Sequence, residues 1–312
     1  MAHEIESMAW AGETPWHGLG VEVHNDLTPD QMMDKAGLNW TVDKFQSYVD
    51  LPNGDKIPTP SQALVRSSDN KVLTMVSDDW NPVQNSEAFE FFNDFVMAGD
   101  MEMHTAGSLK GGQMIWALAK VKDSFDILGG DRVDSYLLFS NPHQYGRSID
   151  IRFTPIRVVC NNTLTLSLSS KSDLMVKLNH RSKFDANLVK STLGVATNKM
   201  QTYKEMAEFL SSRRYKDDTV QQYLMDVFPS LTKKDNTVMS RPAETALSVL
   251  ETQPGAEYGA GSWWSAFNAT TFAVDHLLGH SVDTRLQSAW YGSNRQRKLV
   301  ALEKAVEYAE AA

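Results

Sequence analysis

Hydrophobic spacing divides the chain into a mixed first two-thirds and a helical last third. Thr28 to Gly37 (TPDQMMDKAG) predicts a short helix, with Thr28 as N-cap, Pro29 at the first helical position and Gly37 at the stop. Ala63 to Val76 predicts two strands around a Ser-Asp-Asn turn. In SEAFEFFNDFVMAG, the residues Ala88, Phe91, Phe92, Phe95 and Val96 recur at helical spacing, predicting a helix capped by Asn85 or Ser86 with a core face. The first 60 residues otherwise show little periodicity.

The period then changes to two. Gln113–Val121 and Asp134–Ser140 predict strands, and Asn141–Gly146 (NPHQYG) predicts a turn. Ser148–Arg157 alternates, with Ile149, Ile151 and Phe153 on one side and Asp150, Arg152 and Thr154 on the other. Pro155 has no N–H for a ladder, which predicts an edge position or a strand end. Val158–Ser170 is expected to be a helix, completing a β-β-β-α unit. Leu174–His180 predicts a short strand and Phe184–Arg214 mostly helix. Thr219–Phe228, Pro242–Glu251, Ser262–Leu278 and Asn294–Ala311 predict further helices, with a Gly/Pro break at Gln253–Gly261. The fold class is therefore α+β: an antiparallel hairpin and sheet core over residues 1–215, then a mainly helical region over 216–312.

Charge adds a functional direction. Residues 1–103 hold 5 Lys+Arg against 18 Asp+Glu, residues 104–215 hold 16 against 9, and residues 216–312 hold 9 against 12. The chain is net −9, yet its middle is +7 beside a segment of −13. Cations gathered on one surface attract phosphates whatever the distant charge is. The competing expectation is that the two segments neutralise one another within the fold.

Within the basic segment, Arg147, Arg152, Arg157, Lys171, Lys177, Arg181 and Lys183 place seven cations in 37 residues. His143, Tyr145, Phe153 and His180 are interleaved with them. Cations that follow a phosphate backbone beside rings that stack on bases are what sequence-tolerant single-strand binding requires. Phe153 falls on the apolar side and is assigned to the core, leaving Tyr145 as the stacking residue. Alternatively, Arg147 and Arg157 pair with Asp131, Asp134 or Asp150.

Other chemistry finds less support. His276 and His280 are four apart in VDHLLGH, but the HExxH glutamate is absent and Gly279 is placed to end the helix between them. No GxSxG or GxxxxGK[ST] motif is present, and Asp78-Asp79 and Asp217-Asp218 are adjacent, so their side chains diverge. No catalytic residue, metal or cofactor is assigned. Trp263, Trp264, Phe267 and Thr271 are expected to be core or subunit-contact residues. Arg295, Arg297 and Lys298 open the last helix, where cations oppose its dipole and call for an external anion or an acidic neighbour. The single cysteine, Cys160, the start without a basic and apolar leader, and the lack of a long apolar run point to a cytoplasmic protein with no membrane partner.

The strings WHGLG, WNPVQNSEAFEFF, TAGSLKGGQMIWALAKV, TPIRVVCNNTL and NATTFAVDHLLG…DTRLQSAWYGSNRQRK resemble the DUF932 or "phage/plasmid-like protein" family. The resemblance runs over residues 3–300 and implies a mobile-element context without an established activity. At the level of fold alone, residues 113–170 resemble the β-β-β-α core of Rad52-like single-strand annealing proteins. That likeness implies a homo-oligomer binding single-stranded DNA in a basic groove, without metal or nucleotide, in phage recombination or replication. An alternative is a protein-interaction module whose acidic N-terminal third binds or inhibits a host defence or regulatory protein.

Overall fold

The computed structural model describes residues 4–12, 15, 18–127, 130–157, 162–163, 175–180, 197–230, 238–279 and 288–312. Among them the elements are β1 (Ile5–Ala11), β2 (Val21–Val23), α1 (Pro29–Lys35), β3 (Val42–Asp50), β4 (Lys56–Arg66), β5 (Val72–Val76), α2 (Asn85–Met97), β6 (Met101–Leu109), β7 (Met114–Ile127), β8 (Asp131–Pro142), β9 (Ile149–Arg157), β10 (Asn162–Thr163) and β11 (Met175–Leu178). Helices α3 (Thr197–Ser212), α4 (Asp217–Val227), α5 (Arg241–Ser248), α6 (Trp263–Phe272) and α7 (Ser293–Glu310) follow. The fold is α+β, as its hydrophobic spacing predicts.

The strands form two sheets. The larger runs β10-β9-β8-β7-β6-β1-β2, with β11 also paired to β9, and the smaller runs β3-β4-β5. The chain divides into two compact units. Unit 1 takes Met1–Lys122, Leu137–Arg152 and Met175–Gly194; unit 2 takes Asp123–Tyr136, Phe153–Leu174 and Val195–Ala312. Strands β7, β8 and β9 thus give one end to each unit.

In unit 1, Thr28 and Gln31 close a capping box at the start of α1: the Thr28 N–H donates to Gln31 Oε1 at 2.9 Å and the Gln31 N–H to Thr28 Oγ1 at 3.3 Å. The cap of α2 is Gln84. Asn85, one of the two expected caps, is buried and used elsewhere. The core gathers Phe89, Phe91 and Phe92 of α2 against Phe139 of β8, with ring centroids 5.5 and 6.2 Å from Phe91 and Phe92. At Gly107 of β6 a Cβ would lie 2.4 Å from both Ser7 O and the Trp116 ring, so only glycine lets β1 and Trp116 close on it.

In unit 2, α6 is buried from Trp263 through Thr271. A helix buried on every side belongs at the centre of a helical layer, and here α3, α5 and α7 pack against it. Trp263 stacks on Tyr308 at 5.4 Å, and the Trp264 indole N–H donates to Asp131 Oδ2 at 2.8 Å. The core assignment of Trp263, Trp264, Phe267 and Thr271 therefore holds.

Several expectations change. Strands β1, β3 and β6 occupy stretches without clean alternation. The helix expected over Val158–Ser170 fails where it is described: Asn162 and Thr163 are extended and pair with Arg157 and Ile156. The rest of that segment lies outside the described residues. Pro155 does not end β9. It falls between the β11 ladder at 149–152 and the β10 ladder at 156–157, where its missing N–H costs no bond to either.

Candidate functional site: a cationic rim of unit 1

One end of the large sheet in unit 1 gathers three chain turns. The β6–β7 turn holds Lys110, Gly111 and Gly112 at φ of 53°, 64° and 90°. It joins the β8–β9 turn through the His143 N–H donating to Gln113 O at 2.9 Å. Strand β11 ends at the same place, with Leu178 in register with Ile149. The β4–β5 turn reaches it through Lys71 Nζ, which donates to Gly111 O at 2.9 Å.

Exposed on this rim are Tyr145, at 52% of its surface, and Arg147. Lys177 is also exposed on β11, in register with Asp150. Lys71, from the acidic third of the sequence, is exposed here too, and Lys110 is half-exposed. Two carboxylates within the field of Lys71, Glu6 and Asp69, are committed to Arg66. Arg66 takes Glu6 at 2.7 and 3.0 Å and Asp69 at 2.9 and 2.6 Å, and lies over the Trp40 ring at 5.3 Å. This guanidinium holds Glu6 below the usual carboxylate range and Asp69 down to about 2.

Arg152 is not part of the rim. It is 2% exposed and ion-paired with Asp150, its Nε donating to Asp150 Oδ1 at 2.9 Å. The physical reason is strand periodicity. Residues two apart share one strand face, so the covered face that takes Arg152 also supplies its counter-charge. The expectation that Arg152 offers its fork to a phosphate is corrected accordingly. His143 and His180, expected to be interleaved rings, are also buried, as is Phe153. Arg157 ends β9 in unit 2, and its side chain, like Lys171, Arg181 and Lys183, lies outside the described residues. Of the eight residues proposed for nucleic-acid binding, the structure brings Tyr145, Arg147 and Lys177 together in the open.

Beneath the rim lies a buried polar layer that the sequence did not reveal. Asn85 donates its amide to Leu38 O and Trp40 O at 3.0 and 3.2 Å, which leaves its Oδ1 to accept from His143 Nε2 at 2.9 Å. His143 thus carries its proton on Nε2, with Nδ1 unpartnered among the described residues. Asn141 donates to Val83 O at 2.8 Å. His180 stacks on Trp80 at 4.2 Å and its Nδ1 donates to Asn81 O at 3.1 Å, while the Asn81 N–H returns to His180 O at 2.7 Å. Burial pushes the His143 imidazole down to about 3, and the nearby His180 adds to the shift. His180 is lowered by burial as well, opposed by the Asn81 and Pro142 carbonyls. Both rings are neutral props that fix where the β8–β9 turn emerges and where β11 ends.

No group of three His, Cys, Asp or Glu side chains suited to a metal occurs among the described residues. His276 sits in a π-turn (Ala273–Leu277) with its ring 4.8 Å from Phe272; His280 and Cys160 lie outside the described residues. Asp275 pairs with the buried Lys298 at 2.9 Å, so Lys298 has the acidic neighbour its place in α7 called for. No described helix is long and apolar enough to cross a membrane.

The family model described as "Domain of unknown function (DUF932)" matches residues 72–299. No curated protein and no solved structure matches the chain, so the likeness to Rad52-like annealing proteins gains no support.

Proposed function

The chain belongs to the DUF932 family, and on that premise we propose that it is a single-stranded DNA-binding protein, acting in the annealing steps of mobile-element recombination or replication without a cofactor. The observation that carries the reading is the exposed pair Tyr145 and Arg147 on a turn anchored from below, with Lys177 and Lys71 beside it. A ring and cations on one rim offer a stacking face and phosphate contacts together. Three nearby carboxylates, Glu6, Asp69 and Asp150, are engaged by the buried Arg66 and Arg152, which lessens their repulsion of an incoming phosphate.

Fluorescence anisotropy of a labelled oligothymidine tests the reading. Each phosphate contact contributes about −0.7 to the slope of log affinity against log salt, so three cations give a slope of about −2. Arg147→Glu should flatten that slope, and Tyr145→Ala should weaken binding by about 1–3 kcal/mol at every salt concentration. Salt-insensitive binding, or none, overturns the reading.

A second reading has its own observation. Glu87, Glu90 and Asp94 stand exposed along one stripe of α2, an acidic face suited to a basic surface on a host protein. Recovery of a host protein that resists nuclease and is lost on charge reversal of these three supports it. Recovery unaffected by that reversal removes it.

A further inference from the structure

The turn between β3 and β4 runs through Leu51, Pro52, Asn53 and Gly54. The Gly54 N–H donates to Leu51 O at 2.9 Å, and the Leu51 N–H to Asp55 O at 2.8 Å. Pro52 thus holds the second position of the turn, which its fixed φ suits. Gly54 lies at φ 90°, where any side chain would be strained. A Cβ built there would meet nothing within 4 Å, so backbone conformation alone demands the glycine. That demand places glycine after Asn53, and this is the one Asn-Gly step in the chain. Asn53, Gly54 and Asp55 are all exposed.

Such a step has a chemistry of its own. With no Cβ on Gly54 to crowd it, the Gly54 amide nitrogen can close a five-membered ring on the Asn53 side chain. The nitrogen gives up its proton and bonds Asn53 Cγ; the Cγ–Nδ2 bond breaks, and ammonia leaves with a proton returned from solvent. Water then opens the cyclic imide at either of its carbonyl carbons, leaving aspartate or isoaspartate at position 53. One water is consumed, one ammonia is released, and nothing is oxidised or reduced. In the folded chain each reacting group is held. The Gly54 proton rests on Leu51 O, Asn53 Oδ1 accepts from the Asp55 N–H at 3.1 Å, and Asn53 Nδ2 donates to Asp55 Oδ2 at 2.7 Å. Ring closure breaks the first bond and pulls the amide away from the other two.

The ribbon behind the turn is weak. The β5 ladder begins at Gln62, so β3 and β4 pair only with each other at Tyr48–Pro58, Val49–Ile57 and Asp50–Lys56. A two-stranded ribbon is marginal in water, and the Asp50–Lys56 ion pair, 3.5 Å long and highly exposed, adds little. We propose that Asn53 is a covalent modification site, converted slowly to aspartate or isoaspartate whenever this ribbon frays. The three exposed hydrogen bonds of the closed turn, each near the low end of net bond strength, hold the conversion back about tenfold. The change runs one way. It adds a negative charge beside Asp50 and Asp55, and isoaspartate inserts one carbon into the main chain between Leu51 and Asp55.

Mass spectrometry of the proteolytic peptide that contains residue 53 tests the proposal, on the full chain aged in mildly alkaline buffer, folded and in urea. The unfolded chain should convert about ten times faster than the folded one, giving two products that carry an acid in place of the amide and separate by chromatography. Pro52→Gly loosens the turn and should speed conversion of the folded chain about two- to fivefold. Val49→Gly weakens the ribbon and should speed it about fivefold. In urea both variants should match the wild type, since the Asn53–Gly54 step itself is unchanged. Circular dichroism checks that each variant is folded. Three outcomes overturn the proposal: equal rates for folded and unfolded wild type, a folded wild type that never converts, or a folded variant that keeps the wild-type rate. The experiment contains no nucleic acid, so its outcome is independent of the DNA-binding reading.

Discussion

Protonation of His143 gives the sharpest quantitative prediction. The imidazole is fully buried, its Nε2–H is committed to Asn85, and a second proton on Nδ1 would find no acceptor among the described residues. Its folded pKa is pushed to about 3 from an ordinary 6.5. The unfolded chain therefore binds a proton that the folded chain refuses. Stability is complete above the unfolded value, falls as pH drops below it, and stops falling from this source near the folded value. Each pH unit inside that window costs about 1.4 kcal/mol, so His143 alone removes about 2 kcal/mol between pH 7.5 and pH 5. His180, also lowered, adds loss of the same sign. The window separates these rings from Glu6 and Asp69, whose depressed values act below the ordinary carboxylate values of 4.5 and 3.8. Urea unfolding in steps from pH 7.5 to 5 measures the effect. His143→Gln keeps an amide donor for Asn85 Oδ1 but cannot titrate, so its decline across the window should be smaller by about 2 kcal/mol. Parallel declines for the two proteins, or a flat wild type, would refute the reasoning.

Other consequences follow from the packing. Arg66→Met leaves Glu6 without its counter-charge and should cost about 3 kcal/mol, the lower end for breaking a buried pair, because Asp69 regains water; a loss below about 1 kcal/mol in urea unfolding would show the pair to be dispensable. Gly107→Ala forces a Cβ to within 2.4 Å of Ser7 O and the Trp116 ring, so a loss of about 1–3 kcal/mol or a failure to fold is expected, read by thermal denaturation. Trp263→Ala empties the stack against Tyr308 and should lower stability by about 3–5 kcal/mol in the same assay.

Where local chemistry decides an element, the sequence was readable. Thr28, Pro29 and Gly37 frame α1 because cap, first turn and stop are written within ten residues. The aromatic run of α6 was legible as core for the same reason. Strands β1 and β3 were not, because β1 is held by β6, about a hundred residues away, and its mixed side chains carry no period. The binding residues were half legible. Alternation placed Arg152 and Asp150 on one face of β9, but not whether that face meets water. Lys71 joins the rim through a bond to Gly111 that no linear window contains. His143 and His180 look like surface rings beside cations until Asn85 and Trp80 are seen covering them.

The way the two units share the chain has a practical side. Each is assembled from three separate stretches, so the polypeptide passes between them five times. No single cut releases either one whole. A fragment ending near residue 215 would keep the far ends of β7, β8 and β9 but lose the α6 tryptophans whose burial they share in unit 2. Dissection of activity by truncation is thus closed for this chain, and point substitutions in the intact protein are the route to its function.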